Sequence, residues 1–226
     1  MAIKKTIFIY ILLSVAFKAN AQYDFVAKKL MPQGHVKIQA LKNKLVNTKE
    51  SNIYYSKLFN PIFPLIYMYD GNCGIFKIKD KTFPLIENFE DGLACDLDLS
   101  FPEAYSVYKF TFKKRQYFVL ECVNQGSRTS FILVHLFQIN KKSIYYYPLW
   151  SRYGSVKCLG DFNGDGILDF LKIRNNEKET GYDTFKGTLM SLDSTQNKFK
   201  DIPKSKEWIF RKKYTKNNMV EIDLIP

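Results

Sequence analysis

Short apolar runs, separated by polar and turn-forming residues, recur along the chain after residue 60. The runs are rich in Ile, Val, Phe and Tyr, which favour strands, and clusters of Asn, Gly, Asp, Lys and Pro separate them. This pattern predicts strands at Leu65–Tyr69, Ile75–Lys79, Tyr105–Phe112, Tyr117–Val123, Phe131–Ile139, Ile144–Tyr147, Leu168–Ile173, Thr188–Leu192, Trp208–Phe210 and Met219–Ile225. We therefore expect a mainly β fold.

Residues 22–60 show a mixed pattern and are the least strand-like part of the chain. Pro32-Gln33-Gly34 is typical of a turn, and a short helix is expected around Gln39–Asn47. We interpret residues 22–60 as an irregular or helical N-terminal lead segment and residues 61–226 as the β domain.

The first 21 residues have the layout of a secretory signal peptide. Lys4 and Lys5 precede an apolar run over residues 7–17, and Ala19-Asn20-Ala21 supplies small residues for cleavage. Removal of residues 1–21 takes away three lysines and no acid, which lowers the net charge from +12 to +9. We expect an exported protein, secreted or periplasmic, with no transmembrane segment in the mature chain.

Two stretches of similar length align with each other, Tyr105–Pro148 and Val156–Pro203. In each, a first strand leads through a tight connection to a second strand that ends in Asn, and two further strands follow. Leu65–Pro84 is a weaker partial copy. Each unit is expected to be a four-stranded antiparallel meander of about 45 residues, the size of a propeller blade. The alternative is a chance likeness among strand–turn–strand segments.

The chemically most specific segment is Asp161-Phe162-Asn163-Gly164-Asp165-Gly166-Ile167-Leu168-Asp169. Oxygen-bearing side chains stand at positions 1, 3, 5 and 9, and a glycine stands at position 6, where a sharp turn needs one. Crowded carboxylates repel each other unless a cation neutralises them, and Ca²⁺ prefers oxygen ligands. The segment therefore predicts a calcium site, the alternative being an Asn- and Gly-rich turn without metal.

Position 12 of this segment is Lys172, where an EF-hand needs Glu, and its flanks are strand-like. The segment instead resembles the calcium loop of FG-GAP/VCBS repeats, which implies blade-like repeats in a secreted protein. The resemblance implies Asp161, Asn163, Asp165 and Asp169 as side-chain ligands and Ile167 as a carbonyl ligand. One copy carries the motif, and the equivalent connection in the other repeat is Lys113-Lys114-Arg115-Gln116. At about 45 residues per blade, an incomplete propeller is expected.

The chain contains four cysteines: Cys73, Cys95, Cys122 and Cys158. In an oxidising compartment an even number favours disulfides, and proximity in sequence suggests the pairs Cys73–Cys95 and Cys122–Cys158. Buried thiols are the alternative.

Other polar features predict structural roles. His35 and His135 lie in no metal or nucleophile motif, and the basic runs at 113–115 and 211–213 are expected to be solvated hairpin tips. Dispersed charge and expected export disfavour nucleic acid as a partner. The aromatic cluster Tyr145–Tyr147 with Trp150 and Tyr153 is expected to belong mainly to the core.

Together these features favour a secreted, calcium-binding, non-enzymatic β-repeat protein that binds a protein or polysaccharide at the cell envelope. The alternative is a polysaccharide hydrolase with paired carboxylates drawn from Asp98, Glu121 and Asp169, whose separation the sequence does not give. The sequence predicts no catalytic residue.

Overall fold

The structure is a computed structural model that describes residues 26–42, 44–50, 53–59, 65–69, 74–84, 105–124, 131–140, 143–152, 155–176, 184–203, 206–214 and 220–225. In chain order, the strands in these ranges are β1 (Gln39–Ala40), β2 (Lys44–Glu50), β3 (Ile53–Phe59), β4 (Leu65–Tyr69), β5 (Gly74–Ile78), β6 (Lys81–Pro84), β7 (Tyr105–Phe112), β8 (Arg115–Asn124), β9 (Phe131–Ile139), β10 (Ile144–Arg152), β11 (Leu159–Gly160), β12 (Asp169–Asn175), β13 (Thr184–Asp193), β14 (Lys198–Asp201), β15 (Trp208–Tyr214) and β16 (Val220–Ile225). A helical turn covers residues 26–30, and a 3-10 turn covers Val156–Cys158. The predicted fold class, mainly β with a short helical N-terminal segment, is confirmed.

Each of the ten predicted strands overlaps a strand of the structure, and Leu65–Tyr69, Tyr105–Phe112 and Phe131–Ile139 agree residue for residue. The helix expected around Gln39–Asn47 is wrong, because this segment contributes to β1 and β2. Strand pairing decides the outcome: β1 pairs with β7 and β2 pairs with β3, so neighbouring strands override a weak local preference.

The chain divides into two compact units. The inserted unit is Val36–Trp150, and the split unit combines the chain up to His35 with Ser151–Pro226. Strands already begin at Gln39, within the expected lead segment. The boundary expected between residues 60 and 61 stays a prediction. The expected signal peptide, residues 1–21, lies outside the described residues.

The inserted unit contains two antiparallel five-stranded sheets, with strand orders β1-β7-β8-β9-β10 and β2-β3-β4-β5-β6. Their apolar faces share one core, in which Phe76 and Ile78 from the second sheet join Phe118, Leu120 and Phe137 from the first. The Phe76 and Phe137 rings meet edge-on at 5.8 Å. The core therefore lies between the two sheets, as in a sandwich.

The split unit is one antiparallel sheet of order β11-β12-β13-β15-β16, with β14 also paired to β13. The helical turn packs on this sheet: a Cβ added at Gly187 would lie 3.4 Å from Leu30 and 3.6 Å from Leu171. Lys29 Nζ donates a 2.5 Å hydrogen bond to the Ile222 carbonyl. The N-terminal stretch and the C-terminal strands thus form one unit.

Both predicted repeats are antiparallel four-stranded meanders, β7–β10 in the inserted unit and β11–β14 in the split unit. Their second strands end at Asn124 and Asn175, as the sequence alignment requires. The partial copy corresponds to β4–β6.

The expected disulfide between Cys122 and Cys158 is not formed; both residues are buried thiols. Cys122 belongs to the core of the inserted unit, whereas Cys158 lies in the 3-10 turn of the split unit. Each packs as a small apolar side chain. Cys73 and Cys95 lie outside the described residues. Within the described ranges, no helix has both the length and the apolar character needed to cross a membrane.

Candidate metal centre

The predicted calcium segment forms the loop between β11 and β12. Gly164 and Gly166 adopt the left-handed conformation, with φ of 77° and 76°, so the glycine expected at position 6 is used as predicted. Short-range hydrogen bonds shape the tip: Asp165 N donates to Asn163 Oδ1 at 3.0 Å, and Ile167 N donates to Asp165 Oδ1 at 2.6 Å. The loop tip therefore consists of two consecutive Asx turns, formed by Asn163 and Asp165, and the two glycines supply the left-handed backbone that these turns need.

Asp169 closes the loop from its buried end. Its Oδ2 accepts hydrogen bonds from Phe162 N at 2.9 Å and Asn163 N at 3.4 Å, and its Oδ1 accepts one from Ser191 Oγ on β13. Burial raises the pKa of this carboxyl, its hydrogen bonds oppose the rise, and the nearby charge of Asp165 adds to it. A cation in the loop would offset both unfavourable effects on the ionised form.

Asp161, at position 1 of the loop, holds the least satisfied carboxylate. Its Oδ1 is buried and has no hydrogen-bond partner. A buried carboxylate oxygen without a donor is costly, and the groups that satisfy such an atom are a donor or a cation. This oxygen is the observation that fits a bound cation best, because the other carboxylates of the loop already accept hydrogen bonds.

The loop does not gather its carboxylates into a tight cluster. Asp165 Oδ2 accepts a 2.8 Å hydrogen bond from Asn163 Nδ2. Within the described ranges, no three His, Cys, Asp or Glu side chains are close enough to one another to hold a metal ion. The five predicted ligand residues lie in one loop, and their side-chain oxygens do not converge on a common point. The calcium site stays a prediction.

The apolar residue near the loop tip is largely exposed. Ile167 is 43% exposed, whereas Leu168 is 2% exposed. The chain therefore enters the core one residue after Ile167. The carbonyl role assigned to Ile167 concerns its backbone and stays a prediction.

The N-terminal stretch anchors the start of the loop. Asp161 N donates a 2.8 Å hydrogen bond to Gly34 O, and a Cβ at Gly34 would lie 2.3 Å from Asp161 O. His35 forms a bridge to Gly160, and its ring nitrogens lie 2.8 Å from Lys157 O and 2.5 Å from Met31 O. The structural role predicted for His35 is confirmed.

Sequence reasoning missed Ser191 and Gly34 as supports of the loop. Ser191 is the register partner of Asp169, so the strand alignment of β12 with β13 would have indicated it. Gly34 lies in a predicted turn, but nothing in the sequence connects that turn with residue 161.

The other histidine, and the described members of the aromatic cluster and of the carboxylates considered for catalysis, lie in the core or in strands. His135 is 1% exposed, and its Nδ1 lies 2.9 Å from the Tyr146 hydroxyl, which confirms a core position. Tyr147 and Trp150 are buried, as expected. Glu121 is buried in β8, Asp169 is hydrogen-bonded into the loop, and Asp98 and Tyr153 lie outside the described residues.

The two basic runs differ. Lys113 and Lys114 form a hairpin turn, as predicted. The prediction for residues 211–213 is wrong, because they lie inside β15, where Arg211 pairs with Asp223 of β16.

A scan against protein-family models and searches of curated proteins and of solved structures found no match to this chain. The similarity to FG-GAP/VCBS repeats therefore stays a prediction that depends on the loop residues Asp161–Asp169.

Proposed function

We propose that the chain is an exported, calcium-stabilised β protein with a binding or scaffolding role at the cell envelope. The observation that carries the calcium assignment is the buried, unpartnered Oδ1 of Asp161 at position 1 of the loop. The ligands would be the side chains of Asp161, Asn163, Asp165 and Asp169, with the carbonyl of Ile167.

The role of the cation would be structural. The loop connects β11 with β12, and Asp169 links it to Ser191 on β13. A cation held by residues at both ends of the loop would therefore tie the first strands of the split unit together. A ligand that binds the folded state alone adds about 2.7 kcal/mol at a concentration 100 times its dissociation constant.

The test is calorimetric titration of Ca²⁺ into the chelator-stripped protein, combined with thermal melts with and without Ca²⁺. Wild type should bind one Ca²⁺ and melt at a higher temperature when Ca²⁺ is present. Asp161→Asn should abolish both effects, because an amide replaces the buried charge. Asp201→Asn, an exposed carboxylate of β14 in the same unit, is the matched control and should behave as wild type. Wild type without a calcium response would refute the metal assignment.

Export is tested separately by mass spectrometry of the protein recovered outside the cytoplasm. Cleavage after Ala21 should leave an N-terminus at Gln22. An exported chain that still begins at Met1 would contradict a cleaved signal peptide.

A further inference from the structure

The hairpin between β7 and β8 turns on two lysines in a strained conformation. Phe112 pairs with Arg115, so Lys113 and Lys114 are the two central residues of the turn. Their φ angles are 45° and 65°. Such a turn requires positive φ at both positions, which Asn-Gly adopts readily and lysine does not. Turn geometry therefore does not explain why lysine occupies both positions, and strain kept at an exposed site points to a function.

The positive charge of this hairpin is not neutralised by the rest of the described chain. Lys113, Lys114 and Arg115 are exposed, and none of them pairs with a described carboxylate. Half-buried Lys109 adds a fourth cation on β7, opposite Gln39 of β1 and three residue pairs from the pair that closes the turn. Among the described residues, the hairpin thus presents two exposed lysines without a carboxylate partner, beside Arg115, whose side chain hydrogen-bonds Tyr117.

Some cations of the split unit lie beside carboxylates. Lys200 lies 2.6 Å from Asp193, and Lys186 lies 2.5 Å from Glu207. Arg211 stands across from Asp223. Other exposed lysines, such as Lys28 and Lys198, form no ion pair among the described residues, so the β7–β8 hairpin is distinguished by its adjacent cations and by positive φ at two successive lysines.

The side chains around the hairpin favour one class of anionic partner over nucleic acids and lipid bilayers. Single-stranded nucleic acids need exposed aromatic rings for stacking. Near the hairpin, Phe110 and Tyr117 stack on each other at 4.9 Å and are 4% and 1% exposed, and Phe112 beside the turn is half-buried. Stable attachment to a bilayer needs apolar insertion, and the exposed large apolar side chains in the described ranges are Ile167 and Leu224 of the split unit. A flexible polymer with spaced anionic groups needs neither feature.

We propose that the Lys113–Lys114 hairpin, with Lys109 and Arg115, is a binding site for an anionic polysaccharide. Carboxylate or sulfate groups of the polymer would pair with the exposed ammonium and guanidinium groups. The site lies in the inserted unit and does not depend on the calcium proposal.

The test compares the full chain with its Lys113→Asn/Lys114→Gly variant in binding to dextran sulfate at low ionic strength. Loss of two exposed ion pairs should weaken binding about tenfold. The same substitution should raise the melting temperature by about 2–4 °C, because it removes the strained turn. A variant that is more stable but binds less tightly excludes misfolding as the cause.

The matched control is Lys28→Gln/Lys198→Gln, which removes the same charge at two exposed positions of the split unit. It should weaken binding less than about twofold. Neutral dextran should not bind. Equal weakening by both variants would overturn the proposal in favour of diffuse attraction. Equally tight, hairpin-dependent binding to duplex DNA or to phosphatidylglycerol vesicles would overturn the polysaccharide assignment.

Discussion

In the meander β7–β10, Lys113 and Lys114 join the first strand to the second, whereas in β11–β14 residues 161–168 make the same connection. Both connections need left-handed backbone. The longer loop supplies it with Gly164 and Gly166, and the hairpin supplies it with lysines. The longer loop also hydrogen-bonds within itself and is anchored to Gly34, while the two lysines form no ion pair with a described carboxylate.

This difference shows that a meander specifies its strands but leaves the chemistry of the connection open. Equivalent positions carry acids in one repeat and cations in the other, on strands with similar pairing. A functional assignment from the repeat alone would therefore miss that the two connections carry charges of opposite sign.

The largest expected effect is a loss of stability without Ca²⁺, and it distinguishes the buried carboxylate of the acidic loop from the exposed one. Asp169→Ala removes the acceptor of Phe162 N, Asn163 N and Ser191 Oγ, so it should lower the free energy of unfolding by about 2–4 kcal/mol without Ca²⁺. Asp165→Ala at the exposed tip should cost less than about 1 kcal/mol under the same conditions. Urea denaturation measures both, and equal losses would contradict the distinction.

The next largest effect is a loss of stability at acidic pH, caused by a buried histidine of the inserted unit. Complete burial lowers the pKa of His135 to about 3, against 6.5 for the unperturbed side chain. Because the folded-state pKa lies below the unfolded one, the folded state is favoured above pH 6.5 and loses stability as the pH falls towards 3. Between neutral pH and about pH 4.5 the loss should be about 2–3 kcal/mol.

The variant His135→Leu isolates this contribution. It should show a smaller loss of stability than wild type over the same pH interval, measured by urea denaturation at each pH. Calcium should not change the difference, since the loop belongs to the split unit. Identical pH dependence in the two proteins would contradict the assignment to His135.

A smaller effect contrasts the left-handed residues directly. Gly164→Ala should destabilise the chain by about 1 kcal/mol, since a Cβ there meets no neighbouring atom and the cost is conformational. Lys114→Gly should stabilise it by a similar amount, about 0.5–1 kcal/mol. Thermal melts measure both changes, and changes of the same sign would contradict this account of the two turns.

The smallest effect concerns the paired basic run. Arg211→Ala removes an exposed cross-strand partner of Asp223 and should cost less than about 0.5 kcal/mol. A double-mutant cycle with Asp223→Ala measures the coupling. A substantially larger coupling would indicate that this pair contributes to the edge of the sheet more than exposed ion pairs usually do.

The sequence was informative where local chemistry determines structure. β-Branched and aromatic runs mark strands such as β4, β7 and β9, and the spacing of Asp, Asn and Gly marks the loop at 161–169. The sequence was uninformative where pairing between strands far apart in the chain determines the local structure. The strand identity of Gln39–Ala40 depends on β7, and the charge environment of Arg211 depends on β16.

The same limit applies to the site. Asp161 and Asp169 are recognisable ligand candidates from their spacing. Their supports are distant: Ser191 lies 22 residues from Asp169, and Gly34 lies 127 residues from Asp161. Only the strand register or the tertiary structure shows that Ser191 and Gly34 contact the loop. The burial of Asp161 Oδ1 is also a tertiary property, since Asp in a polar loop is usually solvated.

The division of the split unit between both ends of the chain has a consequence for how the protein reaches its folded state. The hydrogen bond from Lys29 to Ile222 joins residues 193 positions apart. Closing so long a loop carries an entropic cost that grows with the logarithm of its length. During synthesis from the N-terminus, the inserted unit emerges complete while residues 26–35 still lack their sheet. We therefore expect the continuous unit to form first and the segment that anchors the acidic loop to dock last.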